Sequence, residues 1–405
     1  MTKERVAVAL SGGVDSSVAA LLLKEAGYEI MGVHAHLWNS SSSEQPQQQA
    51  EDICRILNIP FHIIELQKEF GLYVVEHFCQ EYNQGRTPNP CITCNQHIKF
   101  GFLLDKALSL GVDYLATGHY ARIEHSGYGY HLLKAQDISR DQSYFLYTLT
   151  QEKLRRILFP LGRYTKAEIQ QMAKQGGLPT TTKASQDICF ISPKNYRAFL
   201  AQRFSPKPGD IIDAGGKQLG HHQGIAFYTI GQRHGLGLAS GRPLYVIKIE
   251  PEHDRVVIGE EKELYSCKVT AKSPSWVTGN PPIDPTSVTA KIRYKSKAAE
   301  ATLSPTLQRD PEPFASRHSE GGDKALSIAK GKQPKNLAQD KLREGKATYD
   351  VCFTQPQKAV TPGQAIVFYK GNEVLGGGII ESSQIIALDS EREGYVTATE
   401  PGSGR

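Results

Sequence analysis

Val6-Ala-Val-Ala-Leu10, followed at once by Ser11-Gly-Gly-Val-Asp-Ser-Ser17, decides the fold of this chain. The five apolar residues read as a buried strand, and Ser16–Ala26, closed by Gly27, as the helix that follows it. Two glycines at the junction let the backbone turn tightly, so that successive N–H groups point at one anion. The helix N-terminus adds its partial positive charge, and the hydroxyls of Ser11, Ser16 and Ser17 add donors. No Walker lysine follows, so this is not the usual cradle for a γ-phosphate. A plain strand–helix turn would account for the glycines but not for Asp15 and two serines.

The same alternation continues outward. Tyr28–Val33, Phe61–Leu66 and Asp113–Thr117 read as strands, and Ala50–Leu57 and Phe100–Leu110 as helices. Helical pattern extends through Gln151–Ile157 and Lys166–Gln175. This rhythm predicts an α/β fold, a doubly wound parallel sheet, as a nucleotide-binding domain over residues 1–204. After Pro206-Lys-Pro-Gly-Asp210 the segments become short and alternating, as in Leu244–Ile249 and Val256–Ile258, which predicts a small β-rich central domain over 205–265. Ser287–Tyr294, Ala365–Tyr369 and Gly378–Glu381 predict a C-terminal β-barrel over 266–405. Inside it, Leu303–Lys346 is polar and nearly without aromatics. It cannot bury enough apolar surface to offset its ordering, and is read as a disordered insertion. Ser40–Gln49 is a shorter stretch of the same kind.

Length and composition agree. At 405 residues, with 39% hydrophobic and 22% charged, the chain is an ordinary globular protein, which excludes collagen, a coiled coil and a largely disordered chain. Net charge is 47 − 42 = +5, compatible with a nucleic-acid partner. No apolar run nears the ~18 residues of a membrane span, and the first apolar stretch ends too early for a signal peptide. Seven cysteines, an odd number without an export signal, point to a reduced, cytoplasmic compartment, where closely spaced cysteines mean metal or chemistry.

Two such cysteines lie in Gly85-Arg-Thr-Pro-Asn-Pro-Cys-Ile-Thr-Cys-Asn-Gln-His-Ile-Lys-Phe100. A helix is expected to start near Pro90, with Cys94 in or near its first turn, where the dipole would stabilise a thiolate. Buried structural cysteines are the plain alternative. A zinc site would need two further ligands, for which His97 and Cys189 are available. Cys189 lies in Ser185-Gln-Asp-Ile-Cys-Phe-Ile191, a context that by itself suggests core packing.

The loop Ser11–Ser17 resembles the PP-loop of ATP pyrophosphatases, which cleave ATP between the α and β phosphates. The larger set is more specific. Ser11–Ser17, Arg86–Phe100, Ala116-Thr-Gly-His-Tyr120, Asp141-Gln-Ser-Tyr-Phe-Leu-Tyr147, Ser185–Ile191, Thr229-Ile-Gly-Gln-Arg-His-Gly-Leu-Gly237 and Thr361-Pro-Gly-Gln-Ala365 occur in this order. Together they resemble the bacterial tRNA-specific 2-thiouridylase (MnmA) family over nearly the whole chain. That resemblance implies ATP-dependent 2-thiolation of the wobble uridine of tRNAs such as those for Lys, Glu and Gln, with release of AMP and pyrophosphate.

It also implies roles. Ala9, Leu10, Ser11, Gly12, Gly13, Val14, Asp15 and Ser16 would hold ATP, with Asp15 organising Mg2+; Ala35 and Gly118 would meet the adenosine, although Ala35 stands where methionine is expected. Cys189 would carry a persulfide supplied by a cysteine desulfurase or sulfur-relay protein, and Cys94 would be its partner thiol, able to form a disulfide with it. Asn89, Pro90 and Cys91 correspond to the segment at the target base. His119, Arg140, Asp141, Gln142, Arg293, Tyr294 and Gln364 match tRNA-contacting positions; by themselves the arginines read as solvated surface and Tyr294 as packing.

Cys91 departs from the family, many members of which have aspartate there. Two arrangements follow: Cys91, Cys94 and Cys189 as ligands of an iron–sulfur cluster, or a cluster-free site where Cys94 and Cys189 alternate between persulfide and disulfide. The second is preferred, because thiolate chemistry alone suffices. Two other functions compete with thiolation. A PP-loop synthetase adenylating a small metabolite would have no use for the cysteines, and a non-catalytic RNA-binding protein would have none for an intact loop.

Overall fold

The computed structural model describes residues 3–38, 44–180, 188–191, 196–306 and 348–385. Its first layer is a five-stranded parallel sheet built from β1 (Arg5–Ala9), β2 (Glu29–His36), β3 (Phe61–Glu65), β4 (Tyr114–Thr117) and, beyond the β5–β6 hairpin (Ala121–Ser126, Gly129–Lys134), β7 (Ile157–Leu158). The order is β3-β2-β1-β4-β7. Parallel strands need covered faces, and β1 shows how alternation supplies them. Val6 and Val8 pack beneath Val18 of α1 (Val14–Glu25) and Ile53 of α2 (Glu44–Leu57). Ala7 packs on the other side, in the cluster of Phe78, Phe100 and Leu115. All three β1 residues have no exposed surface.

A second sheet, of order β10-β11-β8-β9, contains β8 (Gly209–Asp213), β9 (Gln218–His222), β10 (Tyr245–Glu250) and β11 (Arg255–Gly259). The third contains β12 (Tyr265–Trp276), β13 (Thr286–Lys291), β14 (Ala299–Thr306), β15 (Thr348–Lys358), β16 (Ala365–Lys370) and β17 (Glu373–Ile385). Pairing of β12 with both β15 and β17 closes these six strands into a barrel. The hairpin β5–β6 extends from the first domain to β17, where His131 Nδ1 meets Glu373 Oε1 at 2.6 Å. Among the described residues no helix is long and apolar enough to cross a membrane.

Two expectations need correction. Polar composition within Ser40–Gln49 suggested disorder, but α2 starts at Glu44. Its apolar residues Ala50, Ile53 and Leu57, at i, i+3 and i+7, anchor the whole helix on the sheet and carry the glutamine-rich first turns with them. Polar composition predicts an insertion from Leu303, yet β14 runs to Thr306 and pairs with β15, with Leu303 fully buried in the barrel core. The remainder of that stretch lies outside the described residues.

Thr306 and Thr348 are directly paired across the two strands. Replacing residues 307–347 by a short turn is therefore expected to leave the melting temperature within a few degrees of the parent. Deleting 303–346 removes Leu303, at about 2–5 kcal/mol for the buried side chain alone, and breaks a strand. Thermal unfolding of both deletions checks this; equal melting temperatures would show that β14 does not need its last turn of pairing.

Candidate active site

Two clusters of chemistry are each tied to the segment Gly118–His119. The first is the loop after β1. Ser16 Oγ donates to Gly13 O at 3.0 Å and accepts from Ser11 N at 3.2 Å, which holds the turn in shape and already engages the donor expected for the anion. Ser11 is exposed, while Val14 and Leu10 are buried and can offer only backbone. Ser17 is a correction: its hydroxyl is fully buried and donates to Val14 O at 2.9 Å, so helix formation has consumed the donor assigned to the anion. Asp15, in the first turn of α1, accepts from Tyr120 Oη at 2.8 Å and from Lys166 Nζ at 2.5 Å. Gly118 presses against this turn: a Cβ there would lie 2.8 Å from Ser16 N and 2.9 Å from Asp15 C. Ala35 sits half-buried near the end of β2.

The second cluster is sulfur. Asn89 caps the short helix Pro90–Thr93, its Oδ1 accepting from Cys91 N at 3.2 Å, with Pro90 as the first helical residue. Cys91 is exposed, and Cys94, one turn further along as the helical backbone continues through Leu103, is buried. Cys189 is exposed. Beside it Phe190 packs on Phe70, Phe78 and Phe199 at 5.4 to 5.6 Å between ring centres, pinning the segment. Cys91 and Cys189 both act electrostatically on Cys94, and Lys99 acts on all three thiols. Burial nevertheless pushes the Cys94 thiol up to about 12, and desolvation by surrounding protein raises Cys91 and Cys189 as well, although part of each residue reaches solvent. Cys94 lies about one turn into the helical run that starts at Pro90 and continues through Leu103, as expected, but desolvation of the buried thiol outweighs the helix dipole there.

All seven cysteines are free thiols. Among the described residues no three His, Cys, Asp or Glu side chains come together as a group able to hold a metal ion. In this conformation Cys91, Cys94 and Cys189 are neighbours without being assembled as a ligand set, with or without His97.

The tie between the clusters runs through the segment after β4. His119 hydrogen-bonds Thr117 Oγ1 at 2.7 Å and packs against the rings of Phe100 and Phe159, which also touch each other. Its burial and Lys99 hold the imidazole well below the usual range, hence neutral. Lys99 and Phe100 end the thiol-bearing motif and Gly118 abuts the loop after β1, so the segment Gly118–His119 makes contact with both.

Several residues matched to tRNA contacts have internal work. Buried Asp141 accepts from Ala135 N, Ser143 N and Ser143 Oγ at 2.8 to 3.2 Å, and Gln142 Oε1 accepts from Tyr120 N at 2.9 Å. Tyr294 packs on Phe145 at 4.5 Å. In this conformation neither His119 nor Asp141 presents a face to a partner, whereas Arg140 and Arg293 are exposed. Gln364 Nε2 donates to Thr87 O at 3.0 Å, Thr87 N donates to Pro362 O at 2.9 Å, and Thr87 Oγ1 reaches Thr229 Oγ1 at 3.5 Å. Gly363, with φ +91°, makes the approach possible, since a Cβ would meet Thr87 N at 2.8 Å. The motifs Thr229–Gly237 and Thr361–Ala365 thus clamp the segment that leads into Asn89 and the thiols.

Sequence reading missed Lys99, Lys166 and Tyr120. For Lys166 a signal existed. It is the first residue of the helix Lys166–Gln175, capped by Thr165 and Glu168, and a cation there opposes the helix dipole unless a carboxylate receives it. Lys99 lay inside a quoted motif without a role.

The thiols differ enough to be told apart by alkylation. At pH 8 iodoacetamide is expected to label Cys189 at least ~100-fold faster than Cys94, since only the thiolate reacts and Cys94 is both buried and raised. Cys94 labelling should accelerate about tenfold per pH unit up to pH 10, because the proton is lost only near its raised value. Peptide mapping measures this; equal rates would contradict the burial of Cys94.

Comparison with known proteins agrees with this geometry. Residues 4–193 match the family described as tRNA methyl transferase HUP domain, 197–260 the tRNA methyl transferase PRC-barrel domain, and 329–380 the aminomethyltransferase beta-barrel domain. The tRNA-specific 2-thiouridylase MnmA of Carboxydothermus hydrogenoformans is 41% identical over 94% of this chain and 98% of its own length. Those of Moorella thermoacetica (41% identical, 93% and 99%) and Geobacter metallireducens (41%, 94% and 98%) are similar over the same extent. Among solved structures, the U34-tRNA thiolase NcsA from Methanococcus maripaludis with its 4Fe-4S cluster covers 49% of this chain and 63% of its own at a TM-score of 0.32 and 20% identity, a likeness too slight to reason from.

Proposed function

The chain belongs to the tRNA-specific 2-thiouridylase (MnmA) family, and from that membership we propose that it is an ATP-dependent sulfurtransferase that converts the wobble uridine of tRNA to 2-thiouridine. The observation that carries this reading is that Cys94 and Cys189 both lie within electrostatic reach of Lys99, while Gly118, next in sequence to the His119 that Lys99 also reaches, abuts the turn that bears Asp15.

Uridine O2 is a poor leaving group, and adenylation turns it into AMP. In the first step O2 attacks the α-phosphorus and pyrophosphate departs with the electron pair of the bridging bond. In the second, the terminal sulfur of a persulfide on Cys189 attacks C2, AMP leaves, and the Cys94 thiolate cleaves the S–S bond. 2-Thiouridine and a Cys94–Cys189 disulfide result, and a cellular thiol then reduces the disulfide. Lys99 favours the anionic sulfur against the burial that opposes it. Asp15, a half-exposed hard oxygen donor, suits Mg2+, which would neutralise phosphate charge. The cluster-free course asks of this chain only the two thiols of Cys94 and Cys189. The persulfide comes from a desulfurase or relay protein, and Arg140 and Arg293 are the exposed cations offered to the tRNA.

The test is a defined reaction of full-length protein, wobble-uridine tRNA, Mg-ATP and a persulfide donor. Nucleoside mass spectrometry is expected to show 2-thiouridine with one AMP and one pyrophosphate each. AMP formation that needs a small metabolite and ignores tRNA would replace this reading with that of a metabolite synthetase.

A further inference from the structure

The phosphate loop carries no lysine of its own, yet it must hold a group bearing several negative charges. A lysine is nevertheless present beside it, delivered from 151 residues away in the chain. Lys166 Nζ lies 2.5 Å from Asp15 Oδ1, and the same oxygen accepts from Tyr120 Oη at 2.8 Å. Its placement is costly: at the first position of a ten-residue helix the ammonium faces the positive end of the dipole. The fold nonetheless fixes it there. Thr165 and Glu168 form a capping box, Lys166 N donates to Asp137 Oδ2 at 3.1 Å, and Ile169 and Ala173 bury the helix against the cluster that contains Val14 and Val18.

We propose that Lys166 is the polyphosphate-binding cation of this ATP site, held on Asp15 in the nucleotide-free protein and transferred to the phosphates when nucleotide enters. The inference rests on the adenylating reading above and adds a residue to it. Asp15 cannot serve a magnesium ion and keep Lys166 as its full partner. The cation released by that exchange lies within the same site, where charge moves onto pyrophosphate. As O2 attacks the α-phosphorus and the bridging oxygen leaves with the bonding electrons, Lys166 donates hydrogen bonds to oxygens whose charge grows. It keeps its proton throughout, and nothing is oxidised or reduced. Tyr120, anchored by Gln142, holds Asp15 in place during the exchange.

The experiment is calorimetric titration of full-length protein with magnesium pyrophosphate and, separately, with adenosine. Lys166→Met is expected to weaken pyrophosphate binding about 10–100-fold, the worth of a charge-assisted hydrogen bond, and to leave adenosine binding within about twofold. Lys166→Arg should recover much of the loss. Unchanged pyrophosphate affinity in Lys166→Met, with only a lower melting temperature, would reduce Lys166 to a strut between two helices and overturn the proposal. A parent protein that binds neither probe would instead overturn the adenylating reading. Should Lys166→Met fail to fold, Asp15→Asn and Asp15→Asn/Lys166→Gln provide the same comparison without the ion pair. Equal pyrophosphate affinities of those two proteins would equally count against it.

Discussion

Cys189→Ser is expected to lower 2-thiouridine formation below detection while tRNA affinity stays within a few-fold of the parent. A serine oxygen cannot carry a transferable sulfur, so the loss is one of chemistry rather than of rate. The substitution is otherwise mild. Cys189 is exposed, so no packed volume is lost, and Phe190 and Ile191, both buried, keep the segment anchored. The companion Cys94→Ser separates the two thiols: it should still accept one sulfur on Cys189 but stall before release, which intact-protein mass spectrometry reads as a persistent gain of one sulfur atom. Appreciable multiple-turnover thiolation by Cys189→Ser would remove this residue from the sulfur path.

How far the sequence already contained this site depends on the range of the interaction. Local chemistry was legible. The Gly-Gly turn, the Pro90 helix start and the α/β alternation each follow from residues within one turn of each other, and all three appear in the structure. Contacts across long separations were not. Tyr120 and Lys166 reach Asp15 over 105 and 151 residues, and nothing near either announces a phosphate. Composition misled where tertiary burial reversed it: Leu303 belongs to a polar stretch, yet its strand partners make it core. The dipole argument placed Cys94 correctly near a helix start but missed its burial, and desolvation of a buried thiol outweighs the half charge of a helix terminus. Matching residues to tRNA by motif also overlooked internal duties. Asp141 and Gln364 hold Ala135, Ser143 and Thr87, and such roles would produce the same motif without any RNA contact.

Gly118→Ala distinguishes the two duties assigned to that residue, and its expected effect is nearly as large. If Gly118 only borders the adenosine, a methyl group should weaken adenosine binding and leave pyrophosphate binding alone. The geometry argues for more. The new Cβ would stand 2.8 Å from Ser16 N and 2.9 Å from Asp15 C, both backbone, so no side chain can rotate away to admit it. The first turn of α1 cannot retreat easily either, because Val14, Ser17 and Val18 are buried beneath it. Relief must come from displacing that turn or the segment after β4 by several tenths of an ångström. Overpacking of this kind costs about 1–3 kcal/mol in stability, and displacement of a positioned reactant approaching ~1 Å costs about 100-fold in rate. Gly118→Ala should therefore lose affinity for both adenosine and pyrophosphate and fall ~30–100-fold in the adenylation rate at saturating tRNA. Since Asp15 and Ser16 shift together, raising the magnesium concentration should not restore the rate. A variant with normal pyrophosphate affinity and a rate within twofold of the parent would mean that the start of α1 yields freely, and that the close contact with Gly118 does not position the phosphate loop.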